Sequence, residues 1–399
     1  MTQSVDPSLA ETATFRANPA YDLVLFDRLP AEQQQSLSKL REDPDLYGIL
    51  RPAAGSDLVA KSVCQDAALL FLTLREPGRL PGYVRARFGA DTGRTVAELV
   101  MDGILEIESK GEFCSGAQAL RLLLVDRPAP GVGGRIAQLS REALQYAQAL
   151  AAPDARFLAP RLYAYNQMPL TPRWQRLWPT SVAVERYLGI DSGGRNQARL
   201  DRFWYRDSGS GGRGPWSAWR SRRKHSRGAS EIGYKLYLSP ACSAVGDAFD
   251  ALGSVSASLP ALAFKAGKDA SGLLRPDKIV LYFDAREALA EGTELLRAAL
   301  DGCPAHGVPF TAESSPDGLM SWGMDPPLAA QDQLSDERES WRLWLVQRLA
   351  RWLVFGQGCR TPGVEPWQFA LERLRLEGVD PDTWTPSISI WKRYLAGEE

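Results

Sequence analysis

Histidine is nearly absent from this sequence: His225 and His306 are the only two among 399 residues. A metal hydrolase needs two or three imidazoles close to carboxylates, so metal chemistry is not expected of this chain. Cysteine is scarce too, and Cys64, Cys114, Cys242, Cys303 and Cys359 are scattered singly, with no close pair and an odd total. This pattern excludes a disulfide framework or a zinc knuckle and reads as reduced thiols in a cytoplasmic protein. The net charge is only −1, which argues against nucleic acid or a membrane surface as a partner chosen by bulk charge. No uninterrupted apolar run approaches the roughly 18 residues of a membrane span. The opening MTQSVDPSLAETATFR lacks a basic start followed by an apolar block, so it reads as a weakly ordered tail and not as a secretory signal.

What the chain has is an ordinary globular balance, 44% apolar and 24% charged, over a length that implies two to three domains. We divide it into a tail and helix at 1–44, a small winged-helix-like unit at 45–120, a linker helix region at 121–157, and a larger unit at 158–399. In the small unit, a helix from Thr95 to Asp102 closes on Gly103. It leads into ILEIE and EFCSG, two short strands around Ser109, Lys110 and Gly111. RLLLV at 121–125 reads as an apolar strand before a Gly-rich turn, but Ile136 stands where a dinucleotide fingerprint needs its third glycine. Gly209, Gly211 and Gly214 match the same fingerprint by spacing alone, in a segment read as a flexible loop. The basic run RSRRKHSRG at 220–228 reads as a solvated loop that suits a phosphate-handling site better than nucleic acid.

The larger unit reads as α+β. YKLYLSP, ALAFKAG, RPDKIVLYF and VPFTAES are strands, interrupted by the helices SAVGDAFDALGSVSASL and AREALAEGTELLRAAL, giving a mostly antiparallel sheet with helices on one face. A long helix runs from Asp336 to Phe355, with Ser335 as its cap and Gly356 as its stop. Trp341, Leu345, Leu349 and Leu353 form its core stripe. SWGMDPP reads as a fixed turn in which Asp325 serves the turn or orients a lysine. His225 and His306 read as solvent-facing.

Lys235 and Tyr237 stand two apart in YKLYL, so they share one face of that strand. Lys265, Arg275, Lys278, Arg338 and Arg342 are further cations on or beside apolar elements. Together they describe a site for a dianion such as phosphate, because guanidinium grips its oxygens in pairs and ammonium adds point charge. Such a site, without a kinase or P-loop signature, suits β-elimination from phosphoserine or phosphothreonine. That reaction needs a base for the α-proton, a donor at the peptide carbonyl, and cations around the departing phosphate. A lysine serves as base only when neutral, a state that burial among cations favours.

From about Arg161 onward the chain resembles the HopA-type effector family, whose members also act as lyases in class V lanthipeptide and thioamitide assembly. LYAYNQMPLTPRW, YKLYLSP, FKAGK, IVLYF, SWGMDPP, the Arg342 helix and LEGVDPDTW carry the likeness. More distantly it is similar to the phosphothreonine lyase effectors, in which a strand bearing Lys-x-His precedes the catalytic lysine. Carried over, the resemblance implies Lys265 as base and Lys235 at the carbonyl, with Tyr237 where that group has its acidic histidine. Arg342 would hold phosphate, with Arg338, Arg275, Lys278 and Lys268 as further binding residues. It implies a reaction without cofactor, on a phosphorylated precursor peptide supplied by a separate Ser/Thr kinase. Dehydroalanine or dehydrobutyrine would be the product, and the front unit would grip the leader segment. The Tyr in place of His keeps a second reading open: a phosphopeptide-binding or scaffold protein of the same fold. A secreted effector is the third.

Overall fold

The structure, a computed structural model, describes residues 5, 9–56, 58–124, 133–150, 152, 154–207, 214–223, 233–327, 339–358, 363–386 and 390–391. His225, Ser335 to Arg338 and Cys359 lie outside the described residues. The chain is α+β, and every pairing in its described sheets is antiparallel.

The front of the chain builds on two small sheets. Tyr21–Leu25, Leu46–Pro52 and Lys61–Cys64 make one, followed by helices Gln65–Thr73, Gly82–Phe88 and Thr92–Met101. The hairpin Leu105–Ser109 with Glu112–Cys114 turns on Lys110 and Gly111, both at positive φ. The strand Phe15–Ala17 pairs with its first arm. The boundary expected at residue 45 therefore fails, because fully buried Phe15 and nearly buried Tyr21 belong to this core. Leu120–Leu123 is a helical turn and not the expected strand, since Leu120 and Leu123 reach the core at helical spacing. The expected linker helix, α1 (Arg135–Gln148), is no linker. It packs on α2 (Ala155–Tyr163) and on the C-terminal helices below.

The main sheet has seven strands. They are β1 (Trp204–Arg206), β2 (Trp216–Ser221), β3 (Tyr234–Leu238), β4 (Ala263–Gly267), β5 (Ile279–Phe283), β6 (Ala312–Glu313) and β7 (Met320–Met324), in the spatial order β6-β7-β3-β5-β4-β2-β1. Helices α3 (Val245–Val255) and α4 (Arg286–Ala299) lie against one face. There the alternate residues Trp219, Phe264, Leu236 and Leu281 are buried, with Trp219 stacked on Phe264 at 4.7 Å.

Two expectations about strands fail. VPFTAES contributes only Ala312–Glu313, because Phe310 takes positive φ and breaks the extended run. SWGMDPP is not a turn: Met320, Trp322 and Met324 alternate as β7 beside β3, and Pro326 and Pro327 stand just beyond it. The segment around Trp204 and Trp216, read as loop, supplies β1 and β2. The C-terminal helix α5 is described from Trp341 and continues past Gly356 to Gly358, because Pro366 and Phe369 at the start of α6 (Pro366–Leu376) pack where a side chain would stand. Its first turn lies over the sheet face opposite α3 and α4, so helices are not confined to one face: a Cβ on Gly323 of β7 would meet Trp341.

Candidate active site

The sheet register gathers the sequence-predicted lysines. Tyr237, Val280 and Lys265 are direct neighbours across β3, β5 and β4, and Lys235 is the direct neighbour of Tyr282 one row away. Directly opposed residues share a face, as do residues two apart, so all five point to the side away from α3 and α4.

Lys265 Nζ lies 4.3 Å from the Trp216 ring centre and 5.7 Å from that of Tyr282. Among the described residues it meets no hydrogen-bond acceptor or carboxylate partner. Burial first, and then the ammonium of Lys235, lower its pKa to about 8, against the opposing pull of Asp277 and Asp325. The two ring faces also favour the ammonium, so desolvation and Lys235 must outweigh them. Lys235 is nearly buried and forms an ion pair with Asp325 at 2.5 Å. The other oxygen of Asp325 accepts the N–H of Trp341 at 2.9 Å, tying the start of α5 to the lysine. Asp325 thus orients a lysine and does not merely serve a turn. Tyr237 is buried, and desolvation, followed by Asp325, holds its phenol well above the usual range. It stays a proton donor at every ordinary pH.

A second layer forms at Asp277. Arg275 holds this buried carboxylate with two hydrogen bonds, Nε to Oδ1 at 2.8 Å and Nη2 to Oδ2 at 3.0 Å. Arg342 Nη1 approaches Oδ2 to 2.9 Å as an ion-pair contact. Burial alone would raise the Asp277 pKa, but Arg342, with Arg275 after it, holds it well below the ordinary carboxylate range. Tyr163 completes the layer, its ring 4.4 Å from the Arg342 guanidinium and its hydroxyl 3.4 Å from Asp277 Oδ2. Four cations (Lys235, Lys265, Arg275, Arg342) against two carboxylates (Asp277, Asp325) leave an excess of two positive charges with all four protonated and of one with Lys265 neutral, a field that favours an anion.

Several expected phosphate ligands stand elsewhere. Arg342 is 1% exposed and committed to the protein: Nε donates to Pro309 O and Nη2 to Tyr163 O. It positions Asp277 and Tyr163 and is not available as the outer grip. Lys278 is fully buried, donating to Pro240 O at 2.9 Å and standing 2.8 Å from His306 Nδ1. Burial lowers its pKa to about 8 and, with the charge of Lys278 as second cause, that of His306 to about 3. His306 is therefore a neutral internal partner and not a solvent-facing residue. Lys268 lies just past the end of β4, half-buried, its backbone N–H on Pro215 O. Arg338 lies outside the described residues. Arg275, with 23% of its side chain exposed, remains the arginine of the cluster open to a ligand.

Sequence reasoning missed Tyr163, Trp216, Asp277 and Tyr282. Asp277 left a faint signal, an acid between two cations at the head of an apolar strand. Among the described residues, no group of three or more His, Cys, Asp or Glu gathers where it could hold a metal ion, and no helix is long and apolar enough to cross a membrane.

No family model matches the chain, and no curated protein matches it in sequence. Solved structures resemble it at a distance. An effector protein from Pseudomonas syringae pv. syringae strain 61 is 13% identical with a TM-score of 0.41, over 63% of this chain and 97% of that one. An effector from Pseudomonas syringae pv. tomato strain DC3000 is 17% identical with a TM-score of 0.36, over 62% and 96%. The type III effector/phosphothreonine lyase OspF from Shigella flexneri is 14% identical with a TM-score of 0.27, over 38% and 88%. All three likenesses are too distant to transfer an activity.

Proposed function

We propose that this protein is a metal-free phosphoserine/phosphothreonine lyase. The observation that carries the reading is Lys265: a half-buried amine beside a second lysine, without an acceptor among the described residues, its pKa drawn down to about 8 by burial and by Lys235. Such a group is a base near neutral pH. Neutral Lys265 takes the α-proton of the phosphorylated residue, and the negative charge that develops on the peptide carbonyl oxygen is met by the ammonium of Lys235. The Cβ–O bond breaks as the Cα–Cβ double bond forms. Tyr237 or Lys235 donates a proton to the leaving oxygen, so that phosphate departs as the hydrogen phosphate dianion beside Arg275. The proton held by Lys265 restores the donor, and the sum is phosphoserine to dehydroalanine plus phosphate, with phosphothreonine giving dehydrobutyrine.

The substrate in this reading is a ribosomal precursor peptide phosphorylated by a separate kinase, and the sequence resemblance supports that context. The helices and hairpin of the front unit would hold the leader segment. Incubation with a phosphorylated peptide, followed by mass analysis for loss of phosphoric acid, tests the reaction directly. Lys265→Ala should abolish it while leaving phosphopeptide affinity within a few-fold. The second reading, a phosphopeptide-binding scaffold, is favoured by Tyr237 standing where the resembled lyases carry histidine. Tight binding by the intact chain with no product over hours would select it.

A further inference from the structure

The face of the sheet that bears Lys235 and Lys265 is closed at one end and open at the other. All five residues of β7 and all five of β3 are buried. On β5 only Tyr282 is half-buried, and on β4 Ala263 and Lys265 are. Along β2, Trp216 and Ala218 are half-buried and Arg220 is exposed, and on β1 Tyr205 is 43% exposed. One row of direct neighbours crosses this gradient: Lys235, Tyr282, Ala263, Arg220, Tyr205. Its middle member is an alanine, and Ala218 stands next to Lys265 in the adjoining row. Small side chains therefore floor a trough that leads from the lysines to the β1 edge.

Resting on the lyase reading, we infer that the peptide flanking the phosphorylated residue lies in this trough, and that Arg220 with Arg222 forms a subsite for an acidic side chain. Arg220 Nε donates to Asp207 at 2.7 Å, and Arg222 Nε donates to Trp204 O at 3.0 Å. Among the described residues no partner takes the terminal amino groups of either, and each guanidinium has four N–H bonds there. Arg222 also lies 5.9 Å from the Tyr205 ring centre, which gives the subsite an aromatic wall. Arg220 and Arg222 against Asp207 leave one positive charge in excess, while Arg223 donates to Ala257 O just past α3 and stands outside the subsite. Arg220 stands one strand over and two residues along from Lys265. At about 4.8 Å per strand and 3.3 Å per residue, that is roughly 8 Å, or two to three residues of extended peptide.

The test uses the full chain and phosphoserine peptides carrying Glu, Lys or Leu at each position within three residues of the phosphoserine. Phosphate release and binding by fluorescence anisotropy are measured separately. The wild-type protein should favour Glu over Lys by about three- to tenfold at one position, the size of exposed charge-assisted contacts. Arg220→Glu, and independently Arg222→Glu, should cancel or invert that preference, so that the Lys peptide gains on the variant. The inference is overturned if each reversal weakens Glu and Lys peptides equally, if Leu ranks first, or if no peptide binds. Binding that keeps the Glu preference without any phosphate release would sink the lyase reading and spare the subsite. Elimination indifferent to flanking charge would do the opposite.

Discussion

At the scale of single residues, the proposed elimination turns on the protonation of Lys265. Its pKa in the fold is about 8 against an ordinary 10.5. The free enzyme's kcat/KM should therefore rise as pH climbs toward about 8 and level off above it, and Lys265→Arg, charged throughout, should be inactive at every pH. Stability follows the same sign. Between the two values the folded chain binds fewer protons than the unfolded one, so this group makes the protein more stable as pH rises through that window. Lys278, also drawn down to about 8, adds a slope of the same sign, so denaturant titrations should show a smaller slope in Lys265→Met than in the wild type. Asp277 makes the opposite case. Its pKa is held well below 3.8, so its contribution is present above that value and is lost as pH falls further. Asp277→Asn leaves buried Arg342 without its counter-charge and should cost about 3–5 kcal/mol, read as a lower denaturation midpoint. The lysines were legible because strand alternation places residues two apart on one face. Asp277 and Tyr163 were not, since Tyr163 meets Asp277 across 114 residues and Arg342 across 179.

At the scale of elements, the reading that failed most usefully was SWGMDPP as a turn. The prolines do stop the chain, but the five residues from Met320 to Met324 pair with β3 and place Asp325 against Lys235. Turn-forming residue types outweighed a short period-two alternation of Met, Trp and Met, which is the weaker local signal and the one that tertiary pairing rewards. The strands β1 and β2 were lost for a related reason, because glycine and arginine around them masked two tryptophans that fill the core. Gly323 is where the element's geometry can be tested. A Cβ built there stands 2.2 Å from Trp341 Cδ1. Gly323→Ala should therefore push the first turn of α5 off the sheet, at about 1–3 kcal/mol. Because that turn is held by Asp325, the variant should also lose turnover more than its stability loss explains at a temperature where it remains folded. An unchanged rate would separate the helix start from the site.

At the scale of the whole molecule, the α+β class and the succession of strands and helices from Tyr234 to Ala299 were readable in the sequence, whereas the way the front unit joins the rest was not. Apolar packing is continuous across the joint, and charges far apart in the chain reinforce it. Arg373 of α6 donates to both oxygens of Asp102 at 2.8 and 3.0 Å, and it also approaches Glu377 to 3.5 Å. Arg373 is 5% exposed and lies 4.5 Å from the Trp352 ring centre, so removing Asp102 leaves a buried cation with only the longer contact to Glu377. Asp102 itself closes the helix that precedes the hairpin, which means the same carboxylate sits where the front unit ends and α6 begins to hold it. If this contact couples the two parts, the wild-type chain should melt in one calorimetric transition. Asp102→Ala should then lower it, or split off an earlier transition for the front unit, with new proteolytic cleavage confined to residues before Leu124. On the proposed function, turnover of a short phosphopeptide should survive in that variant, because no residue of the lysine cluster touches Asp102, while any advantage that the proposed leader contact gives a longer precursor should be lost. One unchanged transition together with an unchanged leader effect would mean that the two parts fold and act independently.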